Sequence, residues 1–158
     1  MELSTFHLEA GIASCYVRAR SEDETDWRQI LEFYDLLSHR DPSPIVALNR
    51  AVAVARVHGA TAALCALDAI PRQKAVETYA PFHAVSGHLH FENGDRVKAA
   101  ACFRRARELS TLETERALLN RRLVEAEKND QAEDKRCREQ AVRNAKSTGA
   151  EPPKTNHT

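Results

Sequence analysis

The tightest constraint on this chain is a helical hydrophobic period that is repeatedly cut by turn residues and each time resumed. Trp27, Ile30, Leu31, Tyr34 and Leu37 fall at i, i+3, i+4, i+7 spacing, the apolar stripe of an amphipathic helix. Asp26 is placed to cap that helix, with Gln29 as its capping-box partner three residues on. Asp41-Pro42-Ser43-Pro44 ends it, because Pro42 disfavours helix at Asp41, and opens the next, with Ser43 as N-cap and Pro44 in the first turn. Ile45 to Val57 is apolar nearly all round, which predicts a central buried helix closed by Gly59. No segment alternates in the manner of a strand. Alanine, leucine, arginine and glutamate dominate and there are only 5 glycines, a balance that favours helix.

The same pattern runs through the rest of the chain. Leu3 to Ala19 reads as a first helix with Phe6, Ala10, Ala13 and Val17 on one face, followed by an acidic connector over Ser21 to Thr25. Ala60 to Ile70 is a short alanine-rich helix, and Pro71 to Val76 is a connection without a clear pattern. Tyr79 to Glu92 is helical and stops at Asn93-Gly94. Asp95 caps Arg96 to Leu109, and Ser110 with Glu113 forms another capping box before Leu118, Leu119, Leu123 and Ala126. Beyond Glu127 the stripe thins. Gln131 to Lys146 is expected as a charged, weakly packed helix, and Ser147 to Thr158 as disordered. These readings give an all-α domain over residues 1–126, about seven helices, and a charged tail over 127–158.

Helix, short turn and helix in succession imply antiparallel hairpins stacked side by side. His83 to Thr111 has the form of one tetratricopeptide-like (TPR-like) unit: Gly87 at the close crossing, Gly94-Asp95 in the turn, then Ala99, Phe103 and Ala106 as small, large, small. His83 stands where such repeats place Trp, His90 where they place Tyr, and Thr111 where Pro often closes the unit. Ile45 to Ile70 is a weaker copy with Gly59 in its turn. The expected architecture is therefore a TPR-like right-handed solenoid with a concave groove, the kind of surface that receives peptides and helices.

The 158 residues suffice for one core without metal or disulfide support. Net charge is zero, so no global field draws in nucleic acid or an anionic membrane, although the first third leans acidic and Arg104, Arg105, Arg107, Arg121 and Arg122 make a basic stretch. Interleaved Glu108, Glu113, Glu115 and Glu125 mark that stretch as a solvated face. Cys15, Cys65, Cys102 and Cys137 are scattered and form no CxxC motif; with no signal peptide at Met1-Glu2 and no long apolar run, they point to reduced thiols and the cytoplasm.

Several segments carry more than periodicity. Glu24-Thr25-Asp26-Trp27-Arg28-Gln29-Ile30, Tyr34-Asp35-Leu36-Leu37 and the run from Pro42-Ser43-Pro44 through Ala47-Leu48-Asn49-Arg50-Ala51 to Ala55 resemble the C-terminal extension of one group of bacterial extracytoplasmic-function (ECF) sigma factors. His7-Leu8-Glu9-Ala10-Gly11-Ile12-Ala13 resembles the opening of that extension, and Phe82-His83-Ala84 and Glu113 to Leu123 its last hairpins, so the likeness covers roughly residues 5 to 126. The resemblance implies a TPR-like fold and a role in regulating transcription initiation. The contacts would be with the N-terminal sigma regions, RNA polymerase or a regulatory protein. No helix-turn-helix with a basic recognition helix is present, so direct nucleic-acid binding is not expected. A free-standing TPR-like adaptor unconnected with transcription is the alternative.

Candidate partner-binding residues are Trp27, Tyr34, Asn49, Arg50, His83 and His90. Asn49 and Arg50 interrupt an apolar helix, where each needs a polar partner. Either Arg50 pairs with an acid such as Asp35 or Asp26 and Asn49 ties a neighbouring loop, or one of them grips a partner's backbone or carboxylate in the groove. Trp27 and Tyr34 serve as core or as exposed anchors. His83, His88 and His90 share one helix with Cys102 a hairpin away. Without HExxH or paired CxxC this set points to neither a metal site nor a nucleophile. No catalytic residue and no cofactor are expected.

Overall fold

Helix boundaries in the computed structural model, which describes residues 4–71, 73–128 and 139, fall where capping chemistry puts them. The elements are α1 (Thr5–Arg18), a 3-10 turn (Glu22–Glu24), α2 (Trp27–Arg40), α3 (Pro44–His58), α4 (Ala60–Asp68), the one-turn α5 (Lys74–Glu77), α6 (Ala80–Glu92) and α7 (Arg96–Leu109). A last helix, α8, runs over residues 113–128. Asp26 accepts from the Gln29 amide at the head of α2, Ser43 from the Val46 amide at the head of α3, and Asp95 from the Lys98 amide at the head of α7. Gly59 and Gly94 turn the chain with φ of 85° and 83°, a region closed to most side chains, so each hairpin reverses over a very short link.

The fold is all-α, a stack of antiparallel helical hairpins of the TPR-like kind, with no strand among the described residues. Consecutive helices are neighbours: α1 lies on α2, α2 on α3, α3 on α4, α4 on α6 and α6 on α7, while α3 also touches α6. Among the described residues to 128 there are eight α-helices, in line with the expected seven or so, with the one-turn α5 added in the connection after Pro71, where it buries Val76. The expected tail lies outside the described residues from 129 onward, Glu139 apart, as does Cys137.

Two apolar clusters hold the stack. The larger runs from Leu8 in α1 to Leu89 in α6, with Leu8 and Ile30 wholly enclosed; each such side chain contributes about 1.5–3 kcal/mol by leaving water. The smaller joins Ala99, Ala100, Phe103 and Ala106 of α7 to Leu119, Leu123 and Ala126 of α8. Helix α6 serves both, giving Leu89 to the first and Ala84 and Phe91 to the second. Gly87 is buried against Phe103, and Ala99 and Ala106 are fully enclosed, as the small-large-small reading requires.

Three local expectations need correction. In α1 the buried face is Leu8, Ile12 and Cys15, whereas Phe6, Ala10, Ala13 and Val17 face outward. Gly11 shares that buried face, and a Cβ there would lie 2.8 Å from the Phe33 ring of α2. Helix α3 is not buried all round, because Ile45, Asn49 and Arg56 are exposed along one edge. Ser110 caps the end of α7 instead of opening α8, its hydroxyl bonds Glu115 rather than Glu113, and α8 starts two residues further on.

Candidate functional site: a groove along one face of the stack

One edge of α3 and one edge of α6 meet across a depression of about 250 Å³ lined by Val52, Ala55 and Arg56 on one side and Ala84, Val85 and His88 on the other. A second, of about 210 Å³, lies between α6 and α8 and is lined by Ala80, Pro81, Ala84, Leu118 and Leu119. Ala84 belongs to both, so its small side chain is the floor that makes the two one groove. At the other end the Arg56 guanidinium lies over the Trp27 ring, 5.4 Å from its centre, and Tyr16 of α1 packs edge-on to Trp27 with ring centres 5.7 Å apart. The depressions thus run along α3, α6 and α8, apolar along their floors and edged by Arg56, His88, Glu92 and Glu115, with the Trp27–Arg56 stack beyond one end. His88 and Glu92 form an ion pair at 3.2 Å when the imidazole is protonated.

Helical spacing explains why these residues converge. Ile45, Asn49, Val52 and Arg56 fall on one side of α3, and Pro81, Ala84, Val85, His88 and Glu92 on one side of α6. The groove helices α3, α6 and α8 alternate with α2, α4 and α7, the arrangement a stack of hairpins produces.

The residues singled out by sequence separate into three places. Trp27 is half-buried under Arg56, and Asn49 is exposed on the α3 edge that carries Val52 and Arg56 but lines neither depression. Tyr34 packs into the main core, where burial pushes its phenol above the ordinary value. Arg50 pairs with Asp35, Nε to Oδ1 at 2.6 Å, tying α3 to α2. His83 and His90 lie on the other face of α6, in a separate depression of about 190 Å³ shared with Leu64, Asp68, Lys98 and Cys102. There His83 Nε2 donates to the Glu77 carbonyl at 2.9 Å, anchoring α5, and the Cys102 thiol donates to Ser86 Oγ at 3.6 Å. His90 Nδ1 is buried without a hydrogen-bond partner among the described residues. No group of three or more His, Cys, Asp or Glu side chains able to hold a metal occurs among those residues.

Sequence reasoning missed Arg56, Ala84 and Leu118 as groove residues, whereas His88 was among the histidines read as packed or groove-lining. The available signal was Arg56, a second charge interrupting the apolar α3 run seven residues after Asn49. Two charged or polar residues a double turn apart mark an open edge. The basic stretch after Phe103 is a network of pairs: Arg104 with Glu127, Arg105 with Glu108, Arg122 with Glu125, and Arg107 with Asn120. Among the described residues no helix is long and apolar enough to cross a membrane.

The fold is a helical-repeat stack with shallow depressions along α3, α6 and α8. No protein-family model matches the chain. It is 35% identical over 118 residues to an uncharacterized protein of Rhizobium meliloti (strain 1021); the match takes in 75% of this chain and 27% of that protein. The chain therefore spans little more than a quarter of that relative's length.

Proposed function

We propose that this chain is a non-catalytic interaction and regulatory domain of an ECF-type sigma factor. It acts in the bacterial cytoplasm and modulates transcription initiation through a protein contact. The observation that carries the protein-interaction part is the groove made continuous by Ala84 and extended by the Trp27–Arg56 stack. Its floor of Val52, Ala55, Ala84, Val85 and Leu118 suits the apolar side of an amphipathic segment. Asn49, exposed on the same edge of α3, offers both a donor and an acceptor for a partner's backbone. The sigma-factor part rests on the likeness of Trp27 to Ile30 and Pro42 to Ala55 to that extension. The occurrence of a related 118-residue unit within a much longer relative accords with a domain of a larger protein. Nucleic acid and membrane are not among the partners we assign.

The test is calorimetric titration of this chain into the separately prepared N-terminal sigma portion, with and without core polymerase. Micromolar or tighter binding, weakened at least tenfold by Ala84→Arg in the groove floor, is the expected result. An absence of heat with both would remove the sigma-coupled reading. Retention of a different partner by the same groove would instead favour a free-standing adaptor.

A further inference from the structure

Arg96 opens α7 with its guanidinium over the Phe91 ring, 3.6 Å from the ring centre. Its Nε and Nη1 are enclosed and have no hydrogen-bond partner among the described residues. Buried N–H groups on a cation are costly without an acceptor, and a carboxylate is the acceptor that also answers the charge. The acids nearest along the chain are already engaged, Asp95 with Lys98 and Glu92 with His88, and Glu127 of α8 is held by Arg104. The place is separate from the groove, because Arg96 and Phe91 line neither of its depressions.

We propose that Arg96 receives a carboxylate from this chain's own acidic run, Asp130, Glu133 and Asp134. Three observations select that occupant. Arg96, Ala100, Phe103 and Arg107 fall on one side of α7 at i, i+4, i+7 and i+11, and that side meets α8: Ala100 and Phe103 belong to the cluster shared with α8, and Arg107 donates to Asn120. The two helices run antiparallel, since Arg107 meets Asn120 and Arg104 meets Glu127, so α8 ends pointing toward the start of α7. Arg96 stands two turns before Arg104, about 12 Å along the axis. Asp130 to Asp134 follow Glu127 closely enough to reach about 10–24 Å beyond it, which brackets that distance. Finally, residues 129–134 carry these three acids and no basic side chain, so the first charges available past Lys128 are of the sign Arg96 needs. The inference is independent of the sigma-factor reading and holds equally for an adaptor.

A double-mutant cycle on the 158-residue chain tests it, with Arg96→Met as one arm and the triple variant Asp130→Asn, Glu133→Gln, Asp134→Asn as the other. Urea unfolding should show the triple variant lowering the folding equilibrium constant about fivefold in the Arg96 chain and leaving it unchanged in the Arg96→Met chain. The Arg96 Nε–H signal in the NMR spectrum gives a readout that does not depend on stability: the triple variant should shift it and speed its exchange with solvent, and the single variants should show which of the three acids is used. Additive effects in the cycle together with an unmoved Nε–H signal overturn the proposal. So does an unmoved signal that shifts only when the separately prepared N-terminal sigma portion is added, which would assign the guanidinium to a partner's carboxylate instead.

Discussion

A Cβ built on Gly87 would stand 2.8 Å from the Phe103 ring and 3.2 Å from Cys102 Cβ, so α6 and α7 cross at a distance only glycine permits. Phe103 is almost fully buried and has nowhere to move. Gly87→Ala therefore gains about 1 kcal/mol in helix propensity and loses about 1–3 kcal/mol to overpacking. The expected net effect is destabilisation by about 1 kcal/mol. Gly11→Ala meets the Phe33 ring at a similar distance, but that ring is half-buried and can swing outward, so the variant should be close to neutral. Urea midpoints of the two variants provide the comparison; equal stability would mean the α6–α7 crossing is looser than drawn.

The cap of α7 should register in acid. Asp95 accepts from the Lys98 amide at 3.1 Å and meets Lys98 Nζ at 2.8 Å. The Lys98 hydrogen bond holds the Asp95 carboxyl below the ordinary aspartate value. With a depressed folded pKa, the unfolded chain takes up the proton first. The contribution is complete above roughly pH 3.9 and fades as pH falls through the lower folded value. Asp95→Asn keeps a capping oxygen and should flatten this part of the pH–stability curve. Asp95→Ala should lose about 1 kcal/mol near neutral pH. Thermal melts between pH 2 and 7 read both.

Thiol labelling should follow burial. Cys65 is exposed, Cys102 half-buried and Cys15 buried in the main core. Burial pushes the Cys15 thiol up, with Asp26 adding to the effect, so it forms little thiolate at neutral pH. In a Cys137→Ser background, reaction with an aromatic disulfide reagent should modify Cys65 first and Cys15 last, the latter only on unfolding. Early labelling of Cys15 would show α1 parting from α2.

The Arg50–Asp35 pair links α2 and α3, but its side chains are 36% and 45% exposed, so solvent screens it. A double-mutant cycle with Arg50→Met and Asp35→Asn should give a coupling of about 0.2–1 kcal/mol, falling with added salt. A coupling that salt leaves untouched would indicate a drier pair than this geometry describes.

Local chemistry made most of the fold legible in the sequence. Asp26, Ser43 and Asp95 cap their helices because each is a short oxygen-bearing side chain followed by a helical run. Gly87, Ala99, Phe103 and Ala106 mark a hairpin crossing because size alone dictates their order. Facing was harder to read where two stripes compete. Helix α1 carries Phe6 to Val17 and Leu8 to Cys15 at the same period, and only the packing of Leu8, Ile12 and Cys15 into the main cluster distinguishes them. The depressions were harder still to read: Trp27 and Asn49 stand out by residue type, whereas Ala84 and Leu118, which line the depressions, matter only because of what lies beside them. His83 and His90 stand out in the sequence, yet the turn of α6 carries them to its other face.

The two apolar clusters meet only around α6, and this has a mechanical meaning. Helix α6 packs most closely on α7, around Gly87 and Phe103, and most sparsely on α3 and α4. The depression between α3 and α6 lies at that sparser seam, so the seam where the stack yields most readily is also the one that sets how wide the depression opens.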